Sequence, residues 1–214
     1  MTEKPTVFVV DDDQPARESL RWLLESVGHQ VHCHASAQEF LDTFDGNTPG
    51  CLVLDIRMPG ISGLELLNHL SDRQWCLPVI IVTGHGDVPM AVRAMKCGAV
   101  DFLQKPYNDQ HLLDRIQQAL ELCRERRRSH DELSKIRGSY QQLTPREREV
   151  ATLVVAGKAN KVIAIDLGLS PKTIEVHRAN VMLKMQANSL SELVQMWIRL
   201  ERSPLQPAEI RYQG

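Results

Sequence analysis

Residues 6–13, TVFVVDDD, and 51–55, CLVLD, decide how this chain folds, because each is a short apolar run that stops on carboxylates. Runs this short, without polar alternation, suit strands buried on both faces better than helices. Similar runs recur at Gln30-Val-His-Cys33, Pro78-Val-Ile-Ile-Val82 and Val100-Asp-Phe-Leu103, which gives five predicted strands. Between them lie segments with helical spacing, such as Leu20, Leu23, Leu24 and Val27, then Leu64, Leu67 and Leu70. After the last strand come Leu112, Leu113, Ile116 and Leu120 at the same spacing. Such alternation predicts an α/β fold, a (βα)5 flavodoxin-like unit whose parallel sheet, in the order 2-1-3-4-5, is covered by helices through right-handed crossovers.

That unit occupies little more than half of the 214 residues, so a second, smaller domain is expected. With 43% hydrophobic and 24% charged residues the chain is neither disordered nor collagen-like. Its longest apolar runs, Val7–Val10 and Leu77–Val82, fall well short of the ~20 residues of a membrane span. Met1-Thr-Glu-Lys-Pro5 has no signal-peptide character, so a cytoplasmic protein without a membrane partner is expected. The five cysteines, at 33, 51, 76, 97 and 123, lack metal-site or disulfide spacing and read as small hydrophobes. Charge is uneven: residues 1–123 hold 17 Asp and Glu against 9 Lys and Arg, whereas residues 139–214 hold 10 Lys and Arg against 7 Asp and Glu. An acidic half suits a cation and a basic half suits nucleic acid.

Open parallel sheets work at the carboxyl edge of their strands. There the sequence places Asp11-Asp12-Asp13 after the first strand, Asp55 after the third, Thr83 after the fourth and Lys105 shortly after the fifth. Clustered carboxylates need a compensating cation, and oxygen-only ligands with room for phosphate oxygens suit Mg²⁺. Taken singly these residues have plainer readings. Asp12 or Asp13 could cap the helix near Pro15, Thr83 could be a strand end and Lys105 a solvated lysine.

A helix beginning near Asn108 carries its apolar stripe through Cys123 into RERRR (124–128), with no Gly or Pro before Gly138. Three regions result: 1–123; a linker, 124–138, read either as an extension of that helix or as a flexible charged segment; and 139–214, with a loose tail from about 203. In the last region Thr144-Pro145-Arg146-Glu147 is a capping-box start, Gly168 stops a second helix begun at Asn160, and Ser170-Pro171 caps a third through about Met185. Ser189 and Glu192 open a fourth. Two short helices joined through Gly168-Leu-Ser170 have a helix-turn-helix layout, although an inert helical hairpin can look the same.

Placed at 100° per residue from Lys172, Ile174, Val181 and Met185 lie at about 180–220°, the inward side, and Lys172, Glu175, Val176 and Ala179 lie within about 60° of zero. The outward group reads bases, with apolar side chains for thymine methyls and Glu175 for cytosine N4. Lys161, Lys172, Thr173, Arg178 and Asn180 are placed for phosphates, and His177 for the interior.

VFVVDDD, LVLDIRMPGISG and VIIVTGHGDVPMAVRAMKCGAVDFLQKP, with their spacing, resemble the receiver domain of two-component response regulators. LTPREREV, GKANKVIAIDLGLSPKTIEVHRANVMLKM and SLSELV resemble the LuxR or NarL type output domain, and the tandem resembles a FixJ-type regulator. The receiver resemblance implies Asp55 as the phospho-acceptor from a sensor histidine kinase. Asp12, Asp55 and the Arg57 backbone carbonyl are then Mg²⁺ ligands and Asp11 acts through water. Thr83 and Lys105 hold phosphoryl oxygens, Phe102 is the switch aromatic, Arg57 and His85 flank the group, and Lys105-Pro106 is a candidate cis bond. The output resemblance implies promoter DNA, a homodimer when phosphorylated, and a fourth helix with Leu193, Met196 and Trp197 that assists dimerisation; simple packing against the other helices is the plainer reading of those three residues, and both can hold. RNA polymerase is a further candidate partner, and activation is the expected sense of regulation. Two alternatives stand beside this. Asp11 and Asp13 form the DxD of Mg²⁺-dependent phosphatases with an aspartyl nucleophile, although Pro15 departs from that pattern, and the chain could also bind DNA without needing phosphate.

Overall fold

The computed structural model describes residues 4–73, 75–84 and 86–202; His85 and the tail from 203 lie outside them. The chain divides into two units, Met1–Arg128 and Ser129–Gly214. In the first, β1 (Thr6–Val10), β2 (Gln30–His34), β3 (Gly50–Leu54), β4 (Val79–Thr83) and β5 (Asp101–Gln104) form one parallel sheet in the order β2-β1-β3-β4-β5. This is the predicted flavodoxin-like order. β4 and β5 start one residue later than their apolar runs. Pro78 has no N–H to give the ladder and contributes only its carbonyl, which accepts from the Leu52 amide at 2.9 Å.

β1, β3 and β4 are buried at every position, as strands covered on both faces must be. Phe8, Val10, Leu52, Leu54 and Ile81 pack against α2 (Ala37–Thr43), α3 (Gly63–Asp72) and α4 (Val88–Lys96) through Phe40, Leu66, Leu67, Leu70 and Ala94. Val7, Val9, Val53, Ile80, Val82 and Leu103 face the other way. They meet Leu20 and Leu24 of α1 (Gln14–Ser26) and Leu112, Ile116 and Leu120 of α5 (Asp109–Gln141). Cys51 and Cys123 are buried and Cys33 and Cys97 half-buried, as small hydrophobes should be, but Cys76 is exposed.

His34 ends β2 on the other side of the sheet, against Phe8 and Phe40. Its ring lies edge-on to Phe40 at 5.4 Å, its Nδ1 is 3.5 Å from the Thr43 hydroxyl, and its buried Nε2 has no partner. Burial pushes its pKa below the ordinary His value, an effect that His32 reinforces and Glu39 opposes. The unfolded chain therefore binds this proton more readily, so stability is lost as pH falls through about 6.5 toward the lower folded value. Denaturant titrations of the whole chain from pH 7.5 to 5 should show the first unit weakening, and His34→Phe should flatten that dependence. An identical pH profile for both proteins would refute this account.

α5 is helical throughout 124–138, Gly138 included. Ile136 is 7% exposed and Tyr140 packs on the same cluster, so the second unit's core draws on residues before 139. The remaining helices are α6 (Pro145–Val155), α7 (Asn160–Leu167), α8 (Pro171–Met185) and α9 (Leu190–Arg202). Thr144 and Glu147 make both halves of the predicted capping box. Glu147, 3% exposed, also accepts from Lys184 Nζ at 2.7 Å, which ties the start of α6 to α8. α7 stops at Gly168, whose φ of 64° is the left-handed turn glycine favours, and the Ser170 hydroxyl caps α8 by accepting from the Thr173 amide. Among the described residues no helix is long and apolar enough to cross a membrane.

Candidate functional site

The parallel register puts the ends of β1 and β3 side by side, with Val10 opposite Leu54, and the Asp55 amide continues the ladder by donating to the Val10 carbonyl at 2.9 Å. The residues that follow each strand therefore meet. One carboxylate oxygen from each of Asp11, Asp12 and Asp55 lies within 4.8 Å of the others. Asp11 is buried, Asp55 half-buried and Asp12 exposed, so the group opens to solvent on one side.

Lys105 reaches the cluster from beyond β5, where its amide donates to the Thr83 carbonyl at 2.9 Å. Its ammonium donates to Asp11 Oδ2 at 2.7 Å and to Asp55 Oδ2 at 3.3 Å. Burial alone lowers the Lys105 pKa, but the two carboxylates outweigh it and the net shift is upward. Lys105 is therefore firmly cationic. Lys105-Pro106 is cis.

Asp13, one of the residues that could have capped α1, occupies the N-cap position without a side-chain cap bond. Its amide instead donates to Asp11 Oδ1 at 2.9 Å, which orients that carboxylate. The Arg57 amide does the same for Asp55 Oδ1 at 3.2 Å. Thr83 is buried at the end of β4. The Phe102 ring is half-buried and so close to the β4–α4 connection that a Cβ on Gly86 would sit 2.8 Å from it. The sequence reading missed Arg17, whose guanidinium donates to the Asp11 carbonyl at 2.5 Å; an Arg one turn into a helix that follows an acidic loop was the available signal.

In the second unit Ile174, Val181 and Met185 of α8 are buried, and Lys172, Glu175, Val176 and Ala179 are exposed, as the helical wheel predicted. Lys161 is exposed on α7, while Thr173, Arg178 and Asn180 are half-buried. Two of these have protein partners: Arg178 donates to Asn160 Oδ1 at 2.7 Å, and the Thr173 and Ser170 hydroxyls lie 2.8 Å apart. His177 is half-buried with its Nδ1 unpartnered. The sequence reading stopped at Asn180 and so missed Leu183, which is 77% exposed; the same periodicity places it about 20° from Lys172.

On α9 two of the three residues named for dimerisation serve internal packing. Leu193 is fully buried and Trp197 is 7% exposed, both in the unit's own core, with Tyr140 edge-on to Trp197. Neither is free to face a second copy, and Met196 is partly buried against the same core. The outward apolar residues of α9 are Leu190 and Ile198, 43% and 40% exposed.

Residues 7–117 match the family model for the response regulator receiver domain, and residues 141–197 match that for bacterial regulatory proteins of the luxR family. This chain belongs to the response regulators. It is 49% identical over 199 residues to the transcriptional regulatory protein FixJ of Bradyrhizobium diazoefficiens, covering 93% of this chain and 97% of that one. Against FixJ of Azorhizobium caulinodans the identity is 52%, over 92% and 93% of the two chains. Among solved structures, that of response regulator StyR superposes with a TM-score of 0.83 at 46% identity, over 92% of this chain and 100% of that one. As a FixJ-type response regulator, the chain combines a receiver domain with a LuxR-type DNA-binding domain, the architecture of a transcription regulator. Response regulators are not classical enzymes, which sets aside the phosphatase alternative.

Proposed function

We propose that this response regulator takes a phosphoryl group from a sensor histidine kinase onto Asp55 and then binds promoter DNA as a dimer to activate transcription. The observation that carries this reading is the meeting of Asp11, Asp12 and Asp55 within 4.8 Å, beside the Lys105 ammonium. Three hard oxygen donors facing one point, with a single ammonium to offset them, fit Mg²⁺. Asp12, Asp55 and the Arg57 backbone carbonyl would hold the ion, and Asp11 would act through water. When bound, the ion supplies charge neutralisation for the transferring phosphoryl oxygens. Asp55 then needs no general base. Its carboxylate oxygen forms the new bond to phosphorus as the bond to the kinase imidazole breaks, which leaves an acyl phosphate. Lys105 is the fixed positive charge for that product, and the Thr83 hydroxyl, at the end of β4, is the donor it would draw inward. Phe102, packed beside that loop, follows Thr83 and alters the face built from α4, β5 and α5.

On the output side Lys172, Glu175, Val176 and Ala179 read bases and Lys161 meets phosphates. Thr173, Arg178 and Asn180 act at the backbone too, with Arg178 already oriented by Asn160. Dimers on paired half-sites, a multiple of ~34 Å apart, follow from two-fold symmetry. RNA polymerase is the partner that activation requires. Footprinting of the whole chain, with and without acetyl phosphate and Mg²⁺, tests these steps together. Protection should need both reagents at protein concentrations where the untreated chain gives none. Equal protection without them, matched by Asp55→Asn, would establish the phosphate-independent alternative instead.

Ile198→Asp gives a separate test of the dimer. A carboxylate on the exposed face of α9 should lower affinity for paired half-sites at least tenfold and leave binding to one half-site within about twofold. Unchanged affinity for the paired site would remove α9 from the dimer contact.

A further inference from the structure

α8 is apolar on both sides. Ile174, Val181 and Met185 fill the core behind it, as an amphipathic helix requires. The side facing away from the core should then be polar, yet it carries Val176, Ala179 and Leu183, with Val176 54% and Leu183 77% exposed. These three recur at i, i+3 and i+7 and so form one stripe along about 10 Å of helix. An exposed apolar stripe on a surface helix marks a contact surface. Lys172 and Glu175 lie on the same face, Lys161 is exposed on α7, and Arg178 is held toward α7 by Asn160. An apolar strip one helix wide, with Lys172 at its start, matches the DNA major groove, where the only apolar group on a base edge is the thymine C5-methyl.

We infer that this chain selects its half-site chiefly by thymine methyl groups packed against Val176, Ala179 and Leu183, rather than by hydrogen bonds to base edges. The inference rests on the DNA-binding role given above for α8 and names what that helix recognises. The stripe offers no donor or acceptor. Of the exposed side chains on this face, only Lys172 and Glu175 can hydrogen-bond to a base, Glu175 to cytosine N4 and Lys172 to guanine. Most discrimination therefore falls to dispersion and desolvation of methyl groups, and the preferred half-site is rich in A·T pairs.

Replacing thymine by deoxyuridine deletes the methyl and keeps the O4 acceptor, the pairing and the phosphate charge. Duplexes selected from a random pool by the whole chain, treated with acetyl phosphate and Mg²⁺, supply the probe. Each contacted thymine changed to deoxyuridine should raise Kd about fourfold, the equivalent of ~0.8 kcal/mol per buried methyl. Replacing every thymine of one half-site should raise it at least tenfold. Val176→Ala should shrink the penalty at one position and leave the others intact, a coupling that a general loss of folding would not produce. Footprints of equal affinity on thymine and uracil duplexes would overturn the inference and leave DNA binding standing, with the stripe then assigned to a protein partner. Failure to select any duplex would overturn the DNA-binding role itself, and this inference with it.

Discussion

Asp55→Asn is expected to remove phosphoryl acceptance altogether. The substitution replaces a carboxylate oxygen that can attack phosphorus with a neutral amide, and it takes one negative charge from the group that faces the cation. The fold should survive, because Lys105 keeps its shorter bond, 2.7 Å to Asp11, and loses only the 3.3 Å contact to Asp55. Radiolabelled acetyl phosphate with Mg²⁺ should label the wild-type chain in a form that hydroxylamine releases and leave the variant at background. Hydroxylamine-sensitive label on the Asn variant, at more than a tenth of the wild-type level, would move the acceptor to another residue. Unfolding of the variant, followed in parallel, should stay within about 1 kcal/mol of wild type, since a half-buried carboxylate in a repulsive cluster contributes little net stability.

The second large effect is expected at a residue without a side chain. Gly63 opens α3 directly above the start of the β3–α3 connection, and its amide donates to the Ile56 carbonyl at 2.9 Å. A Cβ at this position would stand 2.2 Å from the Asp55 carbonyl oxygen and 2.9 Å from the Ile56 Cα. Backbone atoms cannot rotate away as the end of a side chain can, so Gly63→Ala must push the Asp55 backbone by about 1 Å. Misplacement on that scale costs on the order of 10²-fold in a reaction that depends on alignment, and the overpacking should destabilise the first unit by about 1–3 kcal/mol. Initial rates of acetyl phosphate labelling and denaturant unfolding measure the two effects separately. A rate within threefold of wild type would show that the loop absorbs the methyl without moving Asp55.

The candidate receiver site was legible to an unusual degree because its residues are tied to strand ends. Any apolar run that stops on a carboxylate in a parallel sheet delivers that carboxylate to the working edge, so Asp11, Asp12 and Asp55 could be named from sequence. Arg17 could not, since its contribution is a bond back to the Asp11 carbonyl that no spacing rule encodes. Asp13 was ambiguous for a related reason: a cap and a loop residue look alike until the amide's acceptor is known, and here it is Asp11 Oδ1. On the output side the helical wheel placed Ile174, Val181 and Met185 correctly because α8 is regular from Pro171 to Met185. For α9 the sequence left dimer contact and internal packing side by side. Leu193 and Trp197 read as an apolar face without saying what covers it, and the cover is the unit's own core, Tyr140 included.

The amino-acid sequence alone determined the alternation of strand and helix, the capping box at Thr144 and Glu147, the turn at Gly168 and the identity of the polar strand ends, because each depends on residues within a few positions of one another. Only the tertiary structure decided that three carboxylates meet within 4.8 Å and that one ammonium bridges Asp11 and Asp55. It also decided that α5 lends Ile136 to the second core and that Leu183 stays uncovered. Those facts join residues as much as 94 positions apart in the chain. Their separations are set by strand register and by the packing of helices on the sheet and on each other, quantities that no local pattern contains.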